Sequence, residues 1–367
     1  MTKVLAAMSG GVDSSVAAYL VANEGLEVVG VTMRLTNPGF DSGDVNKCGF
    51  GKDVEDAARV CATLKIPHEV KNYSANFHKC VIEHFIDTYL AGNTPIPCIE
   101  CNRNLKFGAL LDEAKSLGCD RVITGHYANI EYDSNVDRYY LKRGADLSKD
   151  QTYVLYFLSQ EQLSILDFPV GKYSKPRTRE IAASIGLDVA SKKDSEDICF
   201  VPDKDYAAFI ESKEDEMKLN LPGPGNYVDR EGNILGQHEG YYHYTVGQRK
   251  GLGIALGLRA FVTEIRPKTN EVVLGIDSEL YTKNVHVNKC YIISDIMPDG
   301  SLIGDAGVPF RCSGKVRYGL KEMDCTATVN PDGSMDVEFD SEVRAAVNGQ
   351  SLVIYRGDYC LGGGIIG

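Results

Sequence analysis

No apolar run in this chain approaches the ~20 residues needed to span a bilayer. No basic stretch followed by an apolar core stands ahead of the strand-like VLAAM at residues 4–8. A cytoplasmic protein is expected on both counts. Positive charge is also scarce: Lys and Arg number 39 against 51 Asp and Glu, a net charge of −12. That argues against bulk attraction of nucleic acid by an overall positive field, but it leaves room for a local basic groove. There is no Gly-Lys-Ser/Thr, so the Walker loop that cradles β- and γ-phosphates is missing. There is neither a second Cys-x-x-Cys nor a His-x-x-His, which weighs against a zinc site. The 11 cysteines are odd in number and scattered, as expected of thiols in a reducing compartment. Cys61, Cys80, Cys119, Cys290 and Cys325 sit in helical or strand-like context and read as small buried apolar residues.

What is present is enough for a core. The 367 residues, 43% apolar, suggest two or three domains. Residues 3–8 and LEVVGVTMRL (26–35) read as buried strands. DVEDAARVCATLK (53–65) has helical spacing, HEVKNYS (68–74) is strand-like, and ANFHKCVIEHFIDTYLAG (75–92) is helical. A helix NRNLKFGALLDEAKSLG and a strand CDRVITG (119–125) follow. Strands alternating with helices predict an α/β fold with a Rossmann-like, doubly wound parallel sheet. NIEYDSNVDRYYLKR then reads as a hairpin, and QTYVLYFLSQEQLSIL, TREIAASIGL and DYAAFIESKEDEMK as helices. NLPGPGNY marks a linker. Beyond it short alternating runs dominate, predicting small, mostly β domains with the last a β-barrel. The expected division is 1–205, 206–280 and 281–367.

Three segments carry chemistry. The first is SGGVDSS (9–15), between a buried strand and a helix. Its glycines let the backbone approach a phosphate, the N–H groups at the helix start face the anion, and the serines add hydroxyl donors. Asp13 is a candidate Mg²⁺ contact. The second is TPIPCIECNRNLKF (94–107), where Cys98-x-x-Cys101 is open to reading as a redox pair, half a metal site or something else. The third is SKKDSEDICFVP (191–202). Here Lys192 and Lys193 can lower the pKa of a nearby Cys199 thiol, against the alternative of a buried core cysteine between Ile198 and Phe200.

SGGVDSS resembles the pyrophosphatase-type loop of enzymes that adenylate a substrate and release pyrophosphate, a superfamily holding both amide-forming ligases and RNA-thiolating enzymes. Taken in order, SGGVDSS, PCIECNRNLKF, TGHYA, KDQTYVLY, SKKDSEDICF, YTVGQRKGLGI, GKVRYG and LGGGII resemble the tRNA-specific 2-thiouridylase family along nearly the whole chain. The resemblance implies an adenine nucleotide alpha hydrolase-like catalytic domain at 1–205, a small central tRNA-binding domain at 206–280 and a C-terminal β-barrel at 281–367. It implies a sulfurtransferase that thiolates C2 of the wobble uridine. Cys101 would be the nucleophile, Cys199 the persulfide carrier, and Cys101–Cys199 the transient disulfide. ATP would be held by Ala7, Met8, Ser9, Gly10, Gly11, Val12, Asp13, Ser14, Met33 and Gly125, with Mg²⁺.

The same resemblance places the target base on Ile96, Pro97 and Cys98. The family commonly has Asn where Ile96 stands, and Ile96 cannot make an asparagine's hydrogen bonds. His126, Lys149, Asp150, Gln151, Arg317, Tyr318 and Gln350 would touch tRNA. KYSKPRTR (172–179) and Gln248-Arg249-Lys250 are further cationic candidates for the RNA backbone. Expected partners are tRNAs reading Lys, Glu and Gln codons, and a cysteine desulfurase or sulfur-relay protein as donor. Three alternatives stand beside this reading. One is an amide-forming ligase with no need of the cysteines. Another is an iron–sulfur thiolase with the cluster on Cys98, Cys101 and Cys199. The last is a tRNA-binding protein that only senses ATP.

Overall fold

The structure is a computed structural model that describes residues 2–36, 51–192, 197–255, 257 and 259–367. β1 (Lys3–Ala7), β2 (Glu27–Arg34), β3 (His68–Asn72), β4 (Arg121–Ile123) and β7 (Leu166–Asp167) form a five-stranded sheet in the order β3-β2-β1-β4-β7. The pairings are parallel throughout. Along β1, Val4 and Ala6 enter one apolar cluster with Val16, Ala17 and Val60. Leu5, between them, enters another with Ile99, Phe107 and Leu110. Burial on both faces is why these strands read as continuous apolar runs rather than alternating ones. The chain order reverses between β1 and β4, and ligands bind open α/β sheets at the carboxyl ends of strands at such a switch point.

Two long helical runs carry π-type turns. One comprises Ser74–Phe77, His78–Glu83 and His84–Leu90; the other Pro97–Cys101, Asn102–Ala109 and Leu110–Ser116. In each the middle segment is π-helical, a winding common at functional sites. Pro97 starts the second run, where its missing N–H costs nothing.

The expected helix QTYVLYFLSQEQLSIL is a correction. Only Thr152–Val154, a 3₁₀ turn, and Gln160–Ile165 are helical. Tyr153, Leu155, Tyr156, Phe157 and Leu158 are all buried, so no polar face is left for a surface helix. The segment instead fills the seam between sheet and barrel, where the Tyr153 hydroxyl donates to the Ser351 carbonyl (2.6 Å). The true helix starts after it, under a Ser159/Gln162 capping box.

β5 (Ala128–Asp133) and β6 (Arg138–Arg143) form the expected hairpin. It leaves the parallel sheet and joins the far end of the chain, β6 pairing with the last strand through Leu141↔Cys360 and Lys142↔Tyr359. β8 (Gly225–Val228), β9 (Ile234–His238), β10 (Phe261–Arg266) and β11 (Glu271–Gly275) make a four-stranded sheet. β12 (Tyr281–Ile292), β13 (Phe310–Lys315), β14 (Met323–Val329), β15 (Met335–Arg344), β16 (Ser351–Arg356) and β17 (Tyr359–Ile366) follow. The β12–β17 pairing closes these six into a barrel around Val285, Val287, Cys325, Val337, Phe339 and Leu352. Among the described residues no helix is long and apolar enough to cross a membrane.

Candidate active site

The turn after β1 is built as the sequence predicts. Gly10 has φ +69°, and a Cβ there would lie 2.2 Å from the Asp53 carbonyl oxygen, so only glycine fits. Gly11 caps the helix Val12–Ala22. The hydroxyls are ordered within the turn: Ser15 donates to the Gly11 carbonyl (2.7 Å), and Ser14 lies 3.0 Å from Ser9 Oγ. The free N–H groups of the first helical turn face a cleft, a ready anion site.

Among the described residues two lysines flank this turn, and the sequence points each of them to a different role. Lys175, 8% exposed, donates to both Asp13 carboxylate oxygens at 2.9 and 2.7 Å. The Tyr127 hydroxyl donates to the same carboxylate at 2.8 Å. The reading of KYSKPRTR as exposed RNA-facing cations is therefore corrected at Lys175. Ser174 caps the helix Lys175–Ser184, and the helix start turns the lysine inward. On the other side Lys192 donates to Asp53 (2.7 Å), Asp56 (2.6 Å) and the Gly10 carbonyl (3.0 Å). The ammonium expected to activate Cys199 is thus bound to two carboxylates and buttresses the glycine turn. Lys193 lies outside the described residues.

Two adjoining cavities open from the turn. The smaller, about 170 Å³, is lined by Ala7, Met8, Ser9, Asp13, Ser14, Met33, Gly125 and His126 among others. It gathers most of the nucleotide-binding residues expected from the sequence at the carboxyl ends of β1, β2 and β4. Gly125 sits so close to the turn that a Cβ would meet the Ser14 nitrogen at 2.5 Å. His126 is 7% exposed. Its Nδ1 lies 2.7 Å from Thr124 Oγ1 and its ring packs against Phe107 and Phe168. Burial, with Lys106 nearby, holds it well below the usual histidine range, so it is a neutral wall of this cavity. It lines the smaller cavity and is not on an outer surface.

The larger cavity, about 550 Å³, is lined by Gly11, Val12, Asp13, Pro97, Cys98, Cys101, Lys149, Gln151, Cys199 and Tyr318 among others. Cys101 and Cys199, far apart in sequence, therefore share one cleft with the glycine turn after β1. Both also pack against the cluster of Phe77, Phe85 and Phe200. Cys98 is exposed on the cleft floor. Crowding by the surrounding protein raises its thiol pKa, and Lys106 pulls it down in part.

The residues expected to meet tRNA divide. Lys149, Gln151 and Tyr318 line the cleft, with Tyr318 45% exposed. Arg317, partly buried, has its pKa lowered by burial. Asp150 is buried: it accepts from the Thr152 hydroxyl (2.6 Å) and the Gly144 N–H (3.2 Å). Its carboxylate shapes a turn rather than meeting a phosphate, which would repel it. Gln350, also 7% exposed, donates its amide to the carbonyls of Thr94 (3.1 Å) and Pro95 (3.4 Å). The Thr94 N–H donates to the Asn348 carbonyl (2.9 Å). The barrel thus holds the loop that carries Ile96, Pro97 and Cys98. Among the described residues no group of three His, Cys, Asp or Glu side chains converges as a metal set. In this arrangement Cys98, Cys101 and Cys199 do not form a ready cluster site.

The family models match in the order of the architecture. A tRNA methyl transferase HUP domain matches residues 2–203, a tRNA methyl transferase PRC-barrel domain 218–276, and an aminomethyltransferase β-barrel domain 299–366. The chain is 46% identical over 371 aligned positions to the tRNA-specific 2-thiouridylase MnmA of Lachnoclostridium phytofermentans, covering 100% of this chain and 99% of that one. It is also 46% identical to that of Acetivibrio thermocellus, covering 99% of each. The chain belongs to the tRNA-specific 2-thiouridylase family. Among solved structures it is similar to NMN synthetase from Francisella tularensis, at 18% identity over 60% of this chain and 73% of that one, with a TM-score of 0.34. Nothing about activity follows from so slight a likeness. For a 2-thiouridylase, the contacts hardest to foresee are those of Lys175, Lys192 and Tyr127 with the glycine turn, made from remote segments. Sequence offers one signal for them: a turn that carries Asp13 and no cation needs positive charge from elsewhere.

Proposed function

We propose that this protein uses ATP to replace the C2 oxygen of the wobble uridine of tRNA with sulfur. The observation that carries the reading is the convergence of Cys101, Cys199 and the phosphate turn on one cleft. The turn binds the triphosphate with its N–H groups, and the smaller cavity takes the adenosine end. The uridine O2 attacks the α-phosphorus, pyrophosphate leaves with the bonding electron pair, and the uracil N3 proton passes to water. The C2–oxygen bond then has AMP as a good leaving group. The terminal sulfur of a Cys199 persulfide attacks C2 and AMP departs. The Cys101 thiolate then attacks the Cys199 sulfur, which releases 2-thiouridine and leaves a Cys101–Cys199 disulfide. If Cys101 attacks the persulfide first, hydrosulfide is freed to attack C2 and the same disulfide results. A dithiol reductant reopens it by exchange.

The donor set suits a magnesium ion held mainly by ATP phosphates, with Asp13 the carboxylate at hand once it parts from Lys175. Magnesium would supply charge neutralisation at the phosphates. A wobble base must be splayed from its stack to enter the cleft, with Ile96, Pro97 and Cys98 at its edge and Lys149, Gln151, Arg317 and Tyr318 toward the RNA. We assign catalysis to 1–205 and tRNA support to 206–280 and 281–367. Lysine, glutamate and glutamine tRNAs, a cysteine desulfurase or relay protein as donor, and a cytoplasmic setting complete the reading.

The test supplies unmodified tRNA, Mg²⁺, α-labelled ATP and a persulfide source, and assays AMP and thiolated tRNA together. Matching AMP and thiouridine, with thiolation lost in Cys101→Ser and in Cys199→Ser, supports the reading. AMP release without tRNA, or thiolation surviving both substitutions, overturns it in favour of a ligase.

A further inference from the structure

Adenylation must occur where the nucleotide and the flipped base meet. In this molecule that is the boundary between the two cavities. The residues lining both are Ser9, Asp13, Leu35, Lys106 and Gln151. Lys106 alone among these five carries positive charge. Its charge is felt on both sides, acting against the burial-raised thiol of Cys98 and adding to the lowering of His126.

The local winding explains how Lys106 gets there. It lies five residues after Cys101, inside the π-helical segment Asn102–Ala109. In an α-helix, residues five apart point about 140° away from each other. In a π-helix the hydrogen bonds join residues five apart, which brings such residues to roughly the same side. Both Cys101 and Lys106 line the cleft, as that winding requires. Lys175 and Lys192, also beside the turn, line only the larger cavity.

We propose that Lys106 is a catalytic residue of the adenylation step, its ammonium set against the α-phosphoryl oxygens as the uridine O2 bonds to phosphorus and pyrophosphate leaves. The proposal rests on the thiouridylase reading. Lys106 keeps its proton throughout. Its role is to offset charge gathering on the α-phosphoryl group, the contribution that preorganised donors make at acyl and phosphoryl transfer sites. Cys101 and Lys106 thus share one helical face, the first serving sulfur transfer and the second adenylation.

The experiment compares wild type with Lys106→Met and Lys106→Arg on the full chain, with unmodified tRNA and α-labelled ATP in single turnover. Binding of ATP and tRNA and the melting temperature are measured alongside. The expected result is a fall of about 10²–10³-fold in the rate of AMP formation for Lys106→Met. ATP and tRNA affinities should stay within about three-fold, a difference under 1 kcal/mol, and Lys106→Arg should recover part of the rate. AMP formation at the wild-type rate in Lys106→Met overturns the proposal. So does a loss accounted for by weaker binding or a lower melting temperature, the mark of a merely structural lysine. If Lys106→Met fails to fold, Lys106→Gln is read by the same criteria. A wild type that makes no AMP with tRNA overturns the thiouridylase reading itself, and the proposal with it.

Discussion

Cys101 and Cys199 reach the same cleft from supports of opposite kind. Cys101 ends the helical turn Pro97–Cys101 and runs without a break into the π-helical segment. Its loop is tied from behind by Gln350 and Asn348 of the barrel region. Among the described residues 197–201, Cys199 lies in turns rather than in a helix or strand. Its neighbour Phe200 is buried in ring contacts with Phe77, Phe85 and Phe209. One cysteine is built into a rigid element, and the other is carried on a strip pinned by an aromatic ring. That difference suits their proposed roles, because a persulfide carrier must accept sulfur from a donor and then deliver it. A nucleophile works from a fixed place.

Substituting the cysteines tests the comparison most severely. Cys101→Ser and Cys199→Ser should each cut thiolation with a persulfide donor on the order of 10⁴-fold, as losing an essential nucleophile does. AMP formation in a single turnover should survive both. Loss of adenylation in either variant would show that the two steps are not separable in this cleft.

The next largest effect falls on the strip. Phe200→Ala removes a buried ring and should cost about 3–5 kcal/mol of stability. It should also slow sulfur transfer more than adenylation. Phe339→Ala, a buried ring in the separate barrel core, serves as the control. It should cost similar stability, measured by urea unfolding, with AMP and thiouridine falling together. Equal behaviour of the two variants would mean that Phe200 does not position Cys199.

Gln350→Ala tests the opposite support. It deletes two hydrogen bonds to the Thr94–Pro95 carbonyls, worth about 0.5–1.5 kcal/mol each. The expected readout is roughly a ten-fold fall in kcat/KM for tRNA, with ATP binding unchanged. A salt-dependent loss of tRNA binding instead would restore Gln350 to the RNA surface.

How far these features were legible follows from their range along the chain. SGGVDSS could be read directly because its needs are local: a positive φ at Gly10 and hydroxyls folding back on Gly11. The parallel sheet and the barrel were legible for the same reason, their apolar periods being set strand by strand. Lys175 was not, because its meaning depends on Asp13, 162 residues away. From sequence it is one cation among several in KYSKPRTR. Gln350 and the Thr94 carbonyl are 256 residues apart, and no pattern around either announces the other. The failed helix after Gln151 has the same root. Its apolar residues are buried by a barrel that begins well over a hundred residues later.

The smallest expected effect concerns acid, and it bears on the Cys101 side alone. His126 packs on Phe107 of the π-helical segment, ring centroids 5.5 Å apart, and burial holds its pKa well below 6.5. The unfolded chain therefore binds a proton that the folded chain refuses. Stability from this residue is complete above the unfolded pKa and is lost as pH falls below it toward the folded value. His126→Phe should flatten the fall in urea midpoint between about pH 7.5 and about pH 5, though the partly buried His68 and the buried His238 keep part of it. Limited proteolysis at about pH 5 should cut first around residues 97–109 in the wild type, leaving the segment around Phe200 intact. Cleavage beginning around Phe200 instead would reverse the comparison and make the Cys199 strip the weaker support.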